Sequence, residues 1–193
     1  MSEAETVSPR SRAAWRRWLA KHHTRPTGVW LLVKKKGSAA PGISYEEAVE
    51  EALCFGWIDS TAGRHDDDHY KMWLAPRKRT SVWSALNKRR VAELTERGLI
   101  EPPGQAVIDL ARSNGSWDAL NASDALEVPD DLAEALAANP LAREHFDAFP
   151  PSSRKQILAW IGSAKRPETR ATRIERTATL AAQNIRVNQP GPS

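Results

Sequence analysis

The sequence predicts an α+β fold: a small antiparallel sheet, made of a hairpin plus one further strand and packed by helices, followed by an all-helical C-terminal unit. Three observations carry that expectation. The run "GVWLLVKKK" is apolar and β-branched, and "HYKMWLA" alternates Tyr70, Met72 and Leu74 against Lys71 and Trp73, the period of a strand. "ISYEEAVEEALCFGW" sets Tyr45, Ala48, Val49, Ala52 and Leu53 at helical spacing behind a Ser44/Glu47 capping box. Beyond residue 118 the chain is rich in alanine and carries no strand signal.

Taken in order, residues 1–9 are polar, end in Ser8-Pro9 and read as a disordered leader. A helix follows through "RSRAAWRRWLAKHH", with Trp15, Trp18 and Leu19 on one face, until Pro26 and Gly28 interrupt it. The strand "GVWLLVKKK" and the capped helix come next. "WIDST" and "HYKMWLA" then bracket the polar stretch Ala62 to Asp68 as a hairpin. "SVWSALNKRRVAELTERG" reads as a helix from Ser81 with Trp83, Leu86, Val91 and Leu94 on its apolar stripe, and another helix follows Pro102-Pro103. Residues 10–118 thus make an α+β unit, joined through "NASDALEVPD" to a helical unit over 119–187. There, Ser153 with Gln156, and Pro167, mark two helix starts. Residues 188–193 read as a flexible tail.

At 193 residues the chain has the length to build its core without disulfides or metal. Its single cysteine, Cys54, lies in an apolar stretch and reads as a buried hydrophobe in a reduced compartment. The opening "MSEAETVSPRSR" has no apolar h-region and no run of 18 apolar residues occurs, so the expectation is a cytoplasmic protein without a membrane span. Eight tryptophans against three phenylalanines suggest that some indoles line a surface or pocket while most fill the core. A net charge of +4 permits contact with nucleic acid without specifying it.

Three clusters are candidates for function. His65 and His69 enclose Asp66, Asp67 and Asp68, but in a hairpin tip they lie about 13 Å apart unless the chain bends, and no known metal-loop spacing is present; they read as a solvated turn, with no metal and no cofactor. A hairpin would bring Trp57, Asp59 and Tyr70 toward Arg77, Ser81, Trp83 and Asn87. One reading is an Asp59–Arg77 ion pair with Ser81 capping the next helix; the other is a tryptophan-lined cleft in which Asp59 and Arg77 orient a ligand. Lys165, Arg166, Arg170, Arg173 and Arg176 form a basic row that either lies in solvent or tracks the phosphates of nucleic acid without reading sequence. Nucleotide-loop and serine-nucleophile motifs are absent, so no catalytic residue is assigned; an enzyme using Asp59 and Arg77 is the third reading.

The blocks "EAVEEALCFGWIDS", "PRKRTSVWSALNKRRVAELTERGLI" and "WIGSAKRPETRATRIERTATLAA" together resemble the bacterial YdeI/OmpD-associated family, the bacteriocin-protection proteins, from about residue 10 to 187. The resemblance implies a protective or stress-related role against antimicrobial agents, and the family's name implies association with a porin. Combined with the tryptophan cluster, it leads to the expectation of a cofactor-free binding protein for a small molecule or peptide, with a nucleic-acid binder as the alternative. Oligomeric state is not assigned.

Overall fold

Side-chain alternation organises the first sheet. In the computed structural model, which describes residues 4–187, strand β2 (Val29–Lys34) buries Val29, Leu31 and Val33 on one face and leaves Trp30, Leu32 and Lys34 part-exposed on the other. Strands β3 (Trp57–Arg64) and β4 (His69–Pro76) form the expected hairpin, and β4 pairs antiparallel with β2 so that Leu31 faces Met72 and Val29 faces Leu74. Within β3 the register shifts between Asp59 and Ala62, the mark of a bulge.

One strand falls where the sequence suggested a disordered leader. Strand β1 (Thr6–Val7) runs parallel to β2, completing the order β1-β2-β4-β3. The Trp30 N–H donates to the Glu5 carbonyl at 2.9 Å and Val7 packs against the core. Two β-branched residues beside an unpaired sheet edge are enough to order this piece of a polar segment.

Helices cover the buried face of the sheet. Helix α1 (Arg12–His22) is capped by Ser11, and helix α2 (Tyr45–Cys54) has the capping box foreseen at Ser44 and Glu47. Trp15 and Leu19 are fully buried, and the Trp15 indole N–H donates to the Ala48 carbonyl at 3.1 Å. Glu51, also buried, accepts from Arg12 Nε at 2.6 Å and Arg16 Nη1 at 2.8 Å, tying α1 to α2. Helix α3 spans Ala85–Glu96 and helix α4 Pro102–Ser113. Gly104 lets α4 press on the end of α2: a Cβ there would lie 2.2 Å from the Cys54 carbonyl oxygen, inside any allowed contact.

Cys54 sits at that junction with no exposed surface, and burial, then the charge of Glu51, push its thiol up to about 11. At pH 8, three units below, about one molecule in a thousand carries the thiolate. The native protein is therefore expected to resist 5,5′-dithiobis(2-nitrobenzoate) for hours at pH 8 and to react at once in 6 M guanidinium. Prompt stoichiometric labelling without denaturant would show that the junction opens readily.

A second compact unit begins at Ala119, the first ending at Asp118. It contains helices α5 (Asn121–Asp124), α6 (Asp130–Ala137), α7 (Pro140–Ala148), α8 (Pro151–Gly162) and α9 (Pro167–Ala182). Leu132, Leu136, Phe146, Ile157 and Ile161 lie at its centre. Two details differ from the sequence reading. The joining segment holds the short α5, and Ser153 is a buried residue inside α8 rather than its cap, accepting from Arg186 Nη1 at 3.1 Å. Pro151 starts that helix instead, because a proline at the first turn needs no N–H partner. The tail assigned to 188–193 lies outside the described residues. Among the described residues no helix is long and apolar enough to cross a membrane.

Candidate functional site

Polar side chains gather where the hairpin meets the first turn of α2. Tyr45, the first residue of that helix, donates its hydroxyl to Asp59 Oδ2 at 3.2 Å. Arg77 follows β4 directly, and its backbone N–H donates to the Gly56 carbonyl at 3.0 Å, which fixes where the chain leaves the sheet. Its guanidinium lies 3.5 Å from the centroid of the Trp83 ring and the residue is 8% exposed. Nη1 donates to the Val82 carbonyl at 3.3 Å, while Nε and Nη2 find no hydrogen-bond partner among the described residues. Burial pushes this guanidinium down to about 10, with the charge of Asp59 opposing the shift. Asp59 and Arg77 therefore sense one another without the direct ion pair that one sequence reading called for.

A cavity of about 430 Å³ adjoins this cluster, lined by Lys34, Lys35, Lys36, Ser38, Ser44, Tyr45, Glu46 and Tyr70. Burial, followed by neighbouring negative charge, holds the hydroxyl pKa of both Tyr45 and Tyr70 above the ordinary tyrosine value. Both remain donors across the physiological range. Arg90 stands over the Tyr45 ring at 5.4 Å and donates to Asn87 Oδ1 at 3.3 Å, so Asn87 acts on the site by orienting Arg90. Three lysines against one carboxylate, with the Tyr70 hydroxyl as a phenolic donor, suit an anionic group.

Of the residues singled out from sequence, Asp59, Tyr70, Arg77 and Asn87 belong to this cluster. The tryptophans do not line the cavity. Trp57 is fully buried, its indole N–H donating to the His23 carbonyl at 3.2 Å, and Trp83 is 1% exposed beneath Arg77. Neither offers a free face to a ligand, because large indoles are what the core of this unit is built from. Ser81 accepts from the Lys78 N–H at 3.0 Å within a turn, and Ser84 is the residue that caps α3. Trp83 thus precedes the helix, and Leu86, assigned to its apolar stripe, is 45% exposed. The sequence reading missed Tyr45, Arg90 and the lysines as site residues. A tyrosine at the first helical position, where a side chain escapes the helix's buried face, was the available signal for the first.

The aspartate-rich tip is a self-satisfied turn. Asp66 Oδ1 accepts from the backbone N–H of Asp68 at 2.9 Å and of His69 at 2.6 Å, and these bonds, that from His69 first, lower the pKa of its carboxyl. Among the described residues no group of three His, Cys, Asp or Glu side chains is placed to hold a metal ion.

In the second unit, half of the arginine row is already engaged. Arg170 forms two bonds to Asp131, at 2.6 and 2.9 Å, and Arg173 donates to the Trp160 carbonyl and to Ser163 Oγ while stacking 4.9 Å from the Trp160 ring. Arg166 precedes α9 as its N-cap residue, and Lys165, Arg166 and Arg176 are exposed. A groove of about 520 Å³ runs along α9, lined by Ala135, Ala171, Ile174 and Ala178, with the Asp131–Arg170 pair among its walls.

Two family models match this architecture. Residues 7–107, more than half of the chain, match the family described as "Domain of unknown function (DUF8412)". The chain belongs to that family. Residues 125–184, all within the second unit, match the family described as "Bacteriocin-protection, YdeI or OmpD-Associated", and this is the resemblance recognised from sequence. That resemblance was drawn from about residue 10, yet its first two blocks fall within the DUF8412 region, which holds the Tyr45–Asp59–Arg77 cluster, and only its third in the stretch that matches the bacteriocin-protection family. Neither a curated protein nor a solved structure matches the chain.

Proposed function

We propose that this DUF8412 protein is a cytoplasmic binding protein that serves the bacteriocin-protection or stress-related role its second domain suggests, and that it captures a small molecule or peptide by an anionic group seated among Lys34–Lys36, Tyr45 and Tyr70. The observation that carries this reading is Arg77. A buried arginine with two unpartnered guanidinium nitrogens is a poor contributor to stability. It does not line the cavity but is linked to it through Asp59, which feels its charge and accepts a hydrogen bond from Tyr45 in the cavity wall. The family description supports the protective role, and the chemistry of the lining supports the class of ligand.

Tryptophan emission is the natural readout, because Trp83 lies in contact with Arg77. Titration with one antimicrobial peptide in its free-carboxylate and C-terminally amidated forms, alongside inorganic phosphate, is expected to give a saturable change with at least one anionic ligand. Tyr70→Phe, which removes one charge-assisted donor, is expected to weaken that binding about tenfold. If no anionic ligand gives a saturable signal, and a deletion strain survives bacteriocin as the parent does, the reading fails.

A further inference from the structure

The second face of the sheet lies outside the first unit's hydrophobic core. By register it carries Thr6, Trp30, Leu32, Lys34, Ile58, Gly63, His69, Lys71, Trp73 and Ala75, none of them buried, whereas Val29, Leu31, Val33, Met72 and Leu74 on the opposite face are all buried. Trp30 and Trp73 are cross-strand partners whose rings meet edge to face at 5.3 Å, and the Lys71 ammonium sits 4.8 Å from the Trp30 centroid. Two glycines make room for this arrangement. A Cβ on Gly28 would fall 2.7 Å from Trp73 Cε2 and Cζ2, and one on Gly63 would fall 3.1 Å from Lys71 Cε. The indole and the lysine stem thus lie close over the backbone, which gives a low, ordered aromatic surface.

We propose that this face binds single-stranded nucleic acid, with bases stacking on Trp73 and Trp30 and phosphates meeting Lys71 and Lys34. The charge pattern selects that occupant. The charged side chains on the face by register are Lys71 and Lys34, the latter also at the cavity rim, and His69, whose ring meets the Asp66 carboxylate at 3.3 Å at the hairpin end. A second copy of the same face would set lysine against lysine. Neighbouring indoles among cations are the pairing that sequence-independent recognition of single strands uses, since every base has a π-face and every link a charge. In the second unit, Arg170 and Arg173 of the arginine row already have partners within that unit.

The test is quenching of tryptophan emission in the full chain by a thymidine decamer and a uridine decamer, repeated from about 20 to 300 mM salt. Wild-type protein is expected to bind both, with affinity falling as salt rises by about 0.7 in the logarithmic slope for each phosphate contact. Trp73→Ala is expected to weaken binding roughly tenfold or more. Lys71→Glu, a surface change that leaves both cores intact, is expected to weaken it and to remove about 0.7 from the slope. Circular dichroism establishes that each variant is folded. Absence of quenching at 20 mM salt, equal binding by wild type and Lys71→Glu, or association with anionic vesicles or with a second copy in place of the decamers would each overturn the proposal.

Discussion

Replacing Glu51 by alanine is expected to destabilise the first unit by about 3–4 kcal/mol, the scale for removing one partner of a buried charge cluster. Its side chain is 3% exposed and is the shared acceptor of Arg12 and Arg16, themselves 28% exposed. Without it, two guanidinium groups lose their common counter-charge at the contact between α1 and α2. Glu50 and Glu101 each keep a bond to one of the arginines, at 2.8 and 2.5 Å, which places the expected loss toward the lower end of the range. In thermal denaturation the shift corresponds to roughly 10 °C or more. Glu51→Gln, which keeps the shape and one acceptor, is expected to lose about half as much. A loss below 1 kcal/mol for the alanine variant would mean that the network is a surface ornament and that Trp15 and Leu19 alone hold α1 in place.

Arg77→Met is expected to act in the opposite direction, stabilising the protein by about 1–3 kcal/mol while weakening binding at the cavity, to which it is linked through Asp59 and Tyr45. The arginine meets one carbonyl at 3.3 Å and one aromatic face, and leaves two nitrogens without partners. Methionine fills similar volume over Trp83 without a charge to desolvate. Urea denaturation checks this: the midpoint should rise with an unchanged slope. A sign reversal, with the methionine variant less stable than wild type, would make Arg77 a structural residue and remove the support for the proposed ligand site. The pairing of gained stability with weakened binding separates a group kept for function from one kept for folding.

Much of the fold was legible because it is written in short-range pattern. The Ser44/Glu47 box, the alternation through Tyr70 to Leu74 and the proline-marked helix start at Pro167 each depend on residues within one or two turns of each other. What failed had one long-range cause and one local one. Thr6–Val7 is too short to show a period and becomes a strand because the edge of β2 is available. Trp83 and Leu86 have helical spacing, but the helix begins at Ala85, after Ser84 supplies the cap.

The site was half legible. Asp59, Tyr70, Arg77 and Asn87 could be named from their places around a hairpin, whereas Tyr45 reaches Asp59 across 14 positions of sequence and the lysines reach the same cavity from the end of β2. The abundance of tryptophan pointed to an aromatic cleft, and the cavity proved to be lined with tyrosine. Composition counts indoles without saying which are covered. Sequence by itself therefore determined the helical second unit, the hairpin and its strand partner, and the bacteriocin-protection resemblance. Only tertiary structure decided that Trp57 and Trp83 are core, that Trp30 and Trp73 are surface, and that Arg77 is buried with two nitrogens unpaired. Periodicity tells which side chains share a face of a helix or strand, but the burial of that face depends on what the rest of the chain lays over it.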